Sequence, residues 1–197
     1  WQIPDARSAY PQSFEFNGSD SYINSSSYTF DGDFSISVWG KAYDPVASIY
    51  GMICAIGGSY FAFSRGARRL LFDDATTGAY FSSNYVYEYD EWLHLMLVKS
   101  GTTLQFYING EPDSVTATST VTTSGQLTLG RWNAASSNRL RGGLSNFQLW
   151  DTALNATQAE TIYNDGVPLT TAIATDNLKA WYKLDNTEVF SKQFDKW

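Results

Sequence analysis

The chain has 197 residues, 43% hydrophobic, 16% aromatic and 17% charged, with 15 Gly and 5 Pro. That composition supports a sizeable core in one all-β domain and excludes disordered, collagen-like and low-complexity chains. Thirteen Lys and Arg against twenty Asp and Glu give a net charge of -7, which repels nucleic acid and anionic lipid at long range. No apolar run reaches the roughly 18 residues of a membrane span, and WQIPDARSAY lacks the basic and apolar regions of a signal peptide, so no membrane insertion is expected. The one cysteine, Cys54, cannot close a disulfide within the chain, so the fold must stand on its core.

The first strand signal is SFEF (13–16). In FSISVWGKAY, Phe34, Ile36 and Val38 alternate with Ser35 and Ser37, the pattern of a half-buried strand. MICAI (52–56), YFAFS (60–64), RLLF (69–72) and WLHLMLV (92–98) follow. In LQFYING, Leu104, Phe106 and Ile108 alternate with Gln105 and Tyr107 before an Asn109-Gly110 turn. SVTAT (114–118), QLTLG (126–130) and LSNFQLW (144–150) continue the series. ALNATQAETIYNDG then predicts one short helix near 155–164, capped by Asn155 with Gln158 three residues on and stopped by Asp165-Gly166 and Pro168. LKAWYKL (178–184) is the last strand signal. Strands separated by short turn-rich segments predict an all-β, two-sheet antiparallel sandwich with jelly-roll-like connections and one helix as a surface clasp.

The order of these pieces resembles the concanavalin A-like lectin and glucanase sandwiches, in particular their laminin-G-like branch. The residues that carry the resemblance are FEFNGSDSYI, FDGDFSISVWGKA, EWLHLMLVKSGTTLQFYING, LTLGRWN and RGGLSNFQLWDTALNATQAETIYNDG, and it covers the chain from about Phe14 to Pro168. DNLKAWYKLD (176–185) is similar to the strand that opens this family's domains, yet here it follows the last motif. The chain is therefore read as a single domain over 1–197 in which 176–197 either closes the sandwich beside SFEF or opens a further repeat. WQIPDARSAYPQS and FDKW look like two parts of one loop.

Catalytic relatives of the resembling family carry three carboxylates on one strand, which supply nucleophile, helper and acid. Glu88-Tyr89-Asp90-Glu91 is the nearest approach here, and it precedes a strand at a turn, so the chain is read as a non-enzyme. His94, the one histidine, sits in WLHLMLV and reads as a sheet residue. One His with one Cys cannot build the usual zinc sites, and no phosphate-cradling glycine motif is present. Calcium is the cofactor the resemblance implies. Asn17 and Asp20 stand in the acidic turn after the first strand, and Asn146 in the later strand, so these three are the candidate metal ligands.

Saccharides stack on exposed rings, and the chain carries 7 Trp, 13 Tyr and 12 Phe. Tyr60, Tyr80, Tyr85, Tyr87 and Tyr89 in the turn-rich middle, and Trp132 in GRWNAASSNRLR, are the candidate rings. Six of the seven arginines form two clusters, Arg65, Arg68 and Arg69, and Arg131, Arg139 and Arg141. If the two loops meet they make a basic patch suited to carboxylate or sulfate, unless acids such as Asp73 and Asp74 pair with them. The candidate ligand-binding set is Trp132, Arg131, Arg139, Arg65, Arg68 and Tyr87. The expected function is a non-catalytic carbohydrate or surface-binding module of an extracellular, cell-surface or virion protein, its partner a glycan, acidic ones included. The alternative is an assembly module of a fibre or virion array that exchanges 178–184 with copies of itself or neighbouring repeats, and a diverged glycoside hydrolase is the third reading.

Overall fold

Apolar alternation along the chain resolves into two antiparallel sheets packed face to face. The computed structural model describes residues 13–43, 50–74, 78–118, 120–132 and 138–185. Their strands are β1 (Phe14–Asn17), β2 (Ile23–Phe30), β3 (Phe34–Ala42), β4 (Tyr50–Ile56), β5 (Ser59–Ser64), β6 (Arg69–Asp74), β7 (Ala79–Val86), β8 (Leu93–Ser100), β9 (Thr103–Ile108), β10 (Glu111–Thr118), β11 (Thr123–Leu129), β12 (Arg141–Trp150) and β13 (Leu178–Tyr182), with one α-helix, α1 (Ala156–Tyr163). The first sheet runs β1-β12-β3-β8-β9-β10, with β13 also paired to β12, and the second runs β2-β11-β4-β5-β6-β7. The expected two-sheet antiparallel sandwich is the fold found. The terminal pieces that resemble one loop lie in 1–12 and 186–197, outside the described residues.

The core lies between the sheets. Val38, Leu95, Leu97, Phe106, Leu144, Phe147 and Leu149 of the first sheet meet Ile53, Phe61, Phe63, Leu70, Leu127 and Leu129 of the second, all fully buried. Each such side chain contributes about 1.5 to 3 kcal/mol relative to exposure. β2 and β7 were not evident in the sequence. They are the two edge strands of the second sheet, and edge positions need few apolar residues, so INSSSYTF and AYFSSNYV show no strong period.

The expectation that β3 is half-buried does not hold. Ser35 and Ser37 are 0% and 1% exposed because the first sheet is covered on both faces. On its outer face Met96, Val98, Tyr107 and Trp150 pack with Leu154, and with Ala159 and Ile162 of α1. Ser35 ties the layers together: its Oγ donates to the Thr152 carbonyl at 2.8 Å and accepts from the Leu154 N–H at 2.9 Å. The helix begins as the sequence predicts. Gln158 N–H donates to Asn155 Oδ1 at 3.0 Å, and Asn155 N–H donates to Gln158 Oε1 at 2.9 Å. Asn109 and Gly110 turn between β9 and β10 at φ 52° and 82°, and a Cβ on Gly110 would lie 3.2 Å from Tyr163, so glycine there also admits the helix.

β12 is bordered on one side by two strands placed end to end. β1 pairs with its first half, Phe14 opposite Leu144 and Asn17 opposite Arg141. β13 pairs with its second half, Tyr182 opposite Phe147 and Leu178 opposite Trp150. Asn146 at φ 51° interrupts the strand between the two, where the register with β3 also shifts. β13 therefore lies in line with β1 rather than beside it as expected, and it does so within its own chain. Lys179 Nζ holds Asp151 Oδ2 at 2.6 Å at one end of β13. At the other end the Tyr182 hydroxyl meets Ser25 Oγ and the Tyr28 hydroxyl, linking the first sheet to β2 of the second. Where β10 approaches β7, Asp113 accepts from the edge N–H groups of Asn84 (2.8 Å) and Tyr85 (3.2 Å). Among the described residues no helix is long and apolar enough to cross a membrane.

Candidate functional site

The outer face of the second sheet and the adjoining rim carry most of the candidates. Strand alternation that sends Phe61, Phe63 and Phe72 inward sends Tyr60, Ala62 and Leu71 outward, where they join Met52 and Ala55 with Tyr50 and Trp132 packed against them. Trp132 lies three residues past the end of β11. Its ring stands 5.2 Å from that of Tyr60, its Nε1 donates to the Gly58 carbonyl at 3.1 Å, and Thr128 Oγ1 donates to the carbonyls of Arg131 and Trp132. The ring is thus fixed on its inner side and partly open on the other. Tyr60 is buried at 7% exposure and supports Trp132 instead of offering its own face. Its hydroxyl bonds to Asp73, and burial followed by that carboxylate raises its pKa. Asp73 stands opposite Tyr60 on one side and Tyr80 on the other, and Tyr80 is 71% exposed.

The two arginine clusters meet. Arg131 and Arg139 form an isolated antiparallel bridge, and Arg65 Nη2 donates to the Arg139 carbonyl at 3.2 Å. Gly130 makes the crossing: its N–H donates to Ile53, its carbonyl accepts from Leu140, and at φ 81° a Cβ would lie 2.3 Å from the Phe16 ring. Arg131 lays its guanidinium 3.3 Å from the Tyr22 ring centre and donates to Asn24 Oδ1 at 3.3 Å. Arg65 is 4% exposed, and burial lowers its pKa.

Arg68 and Tyr87 do not join this group. Arg68 pairs with Glu88, and its carbonyl accepts from the Tyr87 N–H at 2.8 Å. Tyr87 is 1% exposed and packs against Phe63 and Tyr89 in the core, which corrects its reading as a surface ring. Tyr85 and Tyr89 are likewise half-buried against the core. Tyr22, Tyr50 and Asn24 were missed in the sequence, because only the strand register places them beside Trp132 and Arg131.

The three candidate metal ligands are not brought together. Asn17 Oδ1 accepts from the N–H groups of Ser19, Asp20 and Ser21 and from Ser19 Oγ, and Asn17 Nδ2 donates to Asp20 Oδ1 at 2.6 Å. This is an Asx turn whose oxygens serve the turn. Asn146 lies five residues along β12 from Arg141, the partner of Asn17, or about 17 Å away. Its Oδ1 accepts from Trp181 Nε1 and its Nδ2 donates to Leu169. Among the described residues no group of three His, Cys, Asp or Glu is placed to hold a metal. His94 is fully buried, with Nε2 2.8 Å from Ser37 Oγ and its ring against Trp39 and Tyr163, away from any opening. Burial lowers its pKa to about 3 and pushes that of the free, buried Cys54 up to about 12. Asp90 adopts φ 64° in an exposed turn, so Glu88, Asp90 and Glu91 do not line a strand face.

Residues 17–160 match the family model of laminin-G type described as the concanavalin A-like lectin/glucanases superfamily. The chain belongs to that superfamily. No curated relative matches it. Among solved structures it is similar to a Bacteroides ovatus protein named a "putative carbohydrate binding protein", with a TM-score of 0.73 and 17% identity over 91% of this chain and 53% of that one. The chain thus spans about half the length of that protein. The native heptameric SAP-like pentraxin of Limulus polyphemus matches with a TM-score of 0.58 and 18% identity over 83% of each chain. Trypanosoma rangeli sialidase matches with a TM-score of 0.61 and 12% identity over 78% of this chain and 27% of that one. At these identities the three structures share the fold with this chain and no more, and function has to be argued from its own residues.

Proposed function

We propose that this superfamily member is a non-catalytic carbohydrate-binding module of an extracellular, cell-surface or virion protein. The observation that carries the reading is Trp132, a ring fixed by Gly58 and Tyr60 on one side, partly open on the other, and adjacent to the planar donor Arg131. A sugar ring stacks its C–H face on such a platform while guanidinium and amide groups take its hydroxyls. Tyr80, further along the same face, extends the platform. The lectin-like neighbours support glycan as the ligand class. The non-catalytic part of the reading is supported by Glu88, which is occupied by Arg68.

The test is a glycan array with and without a calcium chelator, followed by titration of the best ligand. Trp132→Ala is expected to lower affinity by about 1 to 3 kcal/mol with little change in melting temperature. Equal loss of both would make the ring a packing element. Glu88→Gln with Glu91→Gln is expected to leave binding unchanged. Release of reducing sugar by the wild type, lost in that variant, would overturn the non-catalytic reading.

A further inference from the structure

Arg131 and Arg139 face each other across an antiparallel bridge. Like charges so placed repel, and a fold usually offsets them with an acid. Here a third arginine comes in instead: Arg65, itself buried, donates to the Arg139 backbone. Arg131 Nε and Arg139 Nη1 are both buried and have no hydrogen-bond partner among the described residues. Neither arginine is in a salt bridge among the described residues, where Arg68 and Lys179 are. Asp20 is the acid that feels Arg139, but its carboxylate already accepts from Asn17 and Ser19, which hold its pKa down more than Arg139 does. A buried guanidinium nitrogen without an acceptor is costly, and an anion arriving from outside can supply that acceptor to both arginines, which the bridge sets opposite each other.

We infer that Arg131 and Arg139 bind an anionic substituent, a carboxylate or sulfate, carried by the saccharide that stacks on Trp132. The inference rests on the carbohydrate reading and narrows it to acidic glycans. Arg131 holds Asn24, which lies across β11 from Ala55, and Ala55 belongs to the outer cluster on which Trp132 packs, so the charged group and the ring lie on one face and belong to one or two adjacent sugar units. Because the protein carries a net charge of -7, polyanions are repelled at a distance and attracted only at this rim. Added salt then screens a repulsion as well as an attraction, and the affinity for an acidic oligosaccharide is expected to change little with ionic strength, unlike that of a generally basic glycan binder.

The experiment uses the 197-residue chain and pairs of oligosaccharides with one backbone: oligogalacturonate against its carboxyl-reduced form, and dextran sulfate against dextran. Sodium sulfate alone is the third probe. The acidic member of at least one pair is expected to bind about tenfold tighter or more, the worth of one charge-assisted bidentate contact. Arg131→Gln with Arg139→Gln is expected to erase that preference, the variant binding the acidic and the neutral member equally, whatever neutral affinity it keeps. Arg139→Lys, which keeps the charge and loses the fork, should retain a reduced preference. If the double variant fails to fold, sulfate competition on the wild type decides: displacement of the acidic and not the neutral ligand supports the site, and no displacement overturns it. Equal affinity for acidic and neutral members overturns this inference and leaves the carbohydrate reading standing. Binding of sulfate without any glycan overturns the carbohydrate reading, and with it the saccharide as carrier. Binding of neither overturns both.

Discussion

His94 is a titratable group that the fold holds neutral. Its neighbours Ser37, Trp39 and Tyr163 offer no counter-charge, and burial lowers its pKa from the usual 6.5 to about 3. In the unfolded chain it takes a proton near pH 6.5, whereas in the folded chain it takes one only near 3. Stability is therefore full above that upper value and is lost as pH falls through the interval, at up to about 1.4 kcal/mol per unit. Melts between pH 7 and 5, above the range of most carboxylates, should show this slope, and His94→Gln should flatten it. An unchanged slope in the variant would mean that another group titrates. Gly130 is the second position where one residue decides much. Gly130→Ala forces a Cβ against Phe16 at a positive φ and is expected to cost about 2 to 4 kcal/mol, read by denaturant unfolding. Its glycan affinity should fall too, because the Gly130 bonds align Arg131 with Arg139.

The capping of α1 and the central strands were legible in sequence because each rests on local chemistry: Asn155 with Gln158, Asn109 with Gly110, and uninterrupted apolar alternation. β2 and β7 were not, since an edge strand anchored by residues such as Ile23 and Phe30, or by Phe81, leaves no clear period. The site was legible in part. Arg65, Arg131, Arg139 and Trp132 stood out by type, but whether their loops meet depends on β4, β5 and β11 being neighbours, which no local signal encodes. Tyr87 was misread for the same reason, its polar surroundings in sequence giving no sign that Phe63 covers it. Removing β13 by truncation after Asp176 exposes the half of β12 that β13 covers and deletes the Tyr182 link between the sheets. The truncated chain is expected to aggregate or unfold, seen by light scattering and loss of a cooperative melt. A soluble chain of equal stability would show that β13 adds nothing to the domain.

At the scale of the molecule, β13 is paired within its own chain and Asp113 takes two N–H groups of the β7 edge, so the strand that could be exchanged with a second copy is already in place. The 197-residue chain is expected to run as a monomer across a concentration series in sedimentation. A concentration-dependent oligomer would favour exchange of 178–184 between copies. Calcium is expected to leave the melting temperature unchanged, since Asn17 is engaged by its own turn and Asn146 by Trp181. A bound ion at a hundredfold its Kd would instead add about 2.7 kcal/mol. A clear rise with calcium, reversed by chelator, would reinstate a metal site.

The end-to-end arrangement on β12 means that the order of strands in space and their order along the chain are separable. β13 runs antiparallel to β12 and finishes at Tyr182 beside Phe147, and β1 begins at Phe14 beside Leu144 and continues in the same direction. The two ends of the domain are thus successive stretches of one strand. Moving 176–185 ahead of Ser13 through a short linker would leave every strand neighbour in place, turning the present sequence into a circular permutant. Such a chain should fold to the same sandwich and keep its stability to within the change in loop-closure entropy, of order 1 kcal/mol. In a row of such domains, the same junction would allow one unit's last strand to lead into the next unit's first, without opening either sheet.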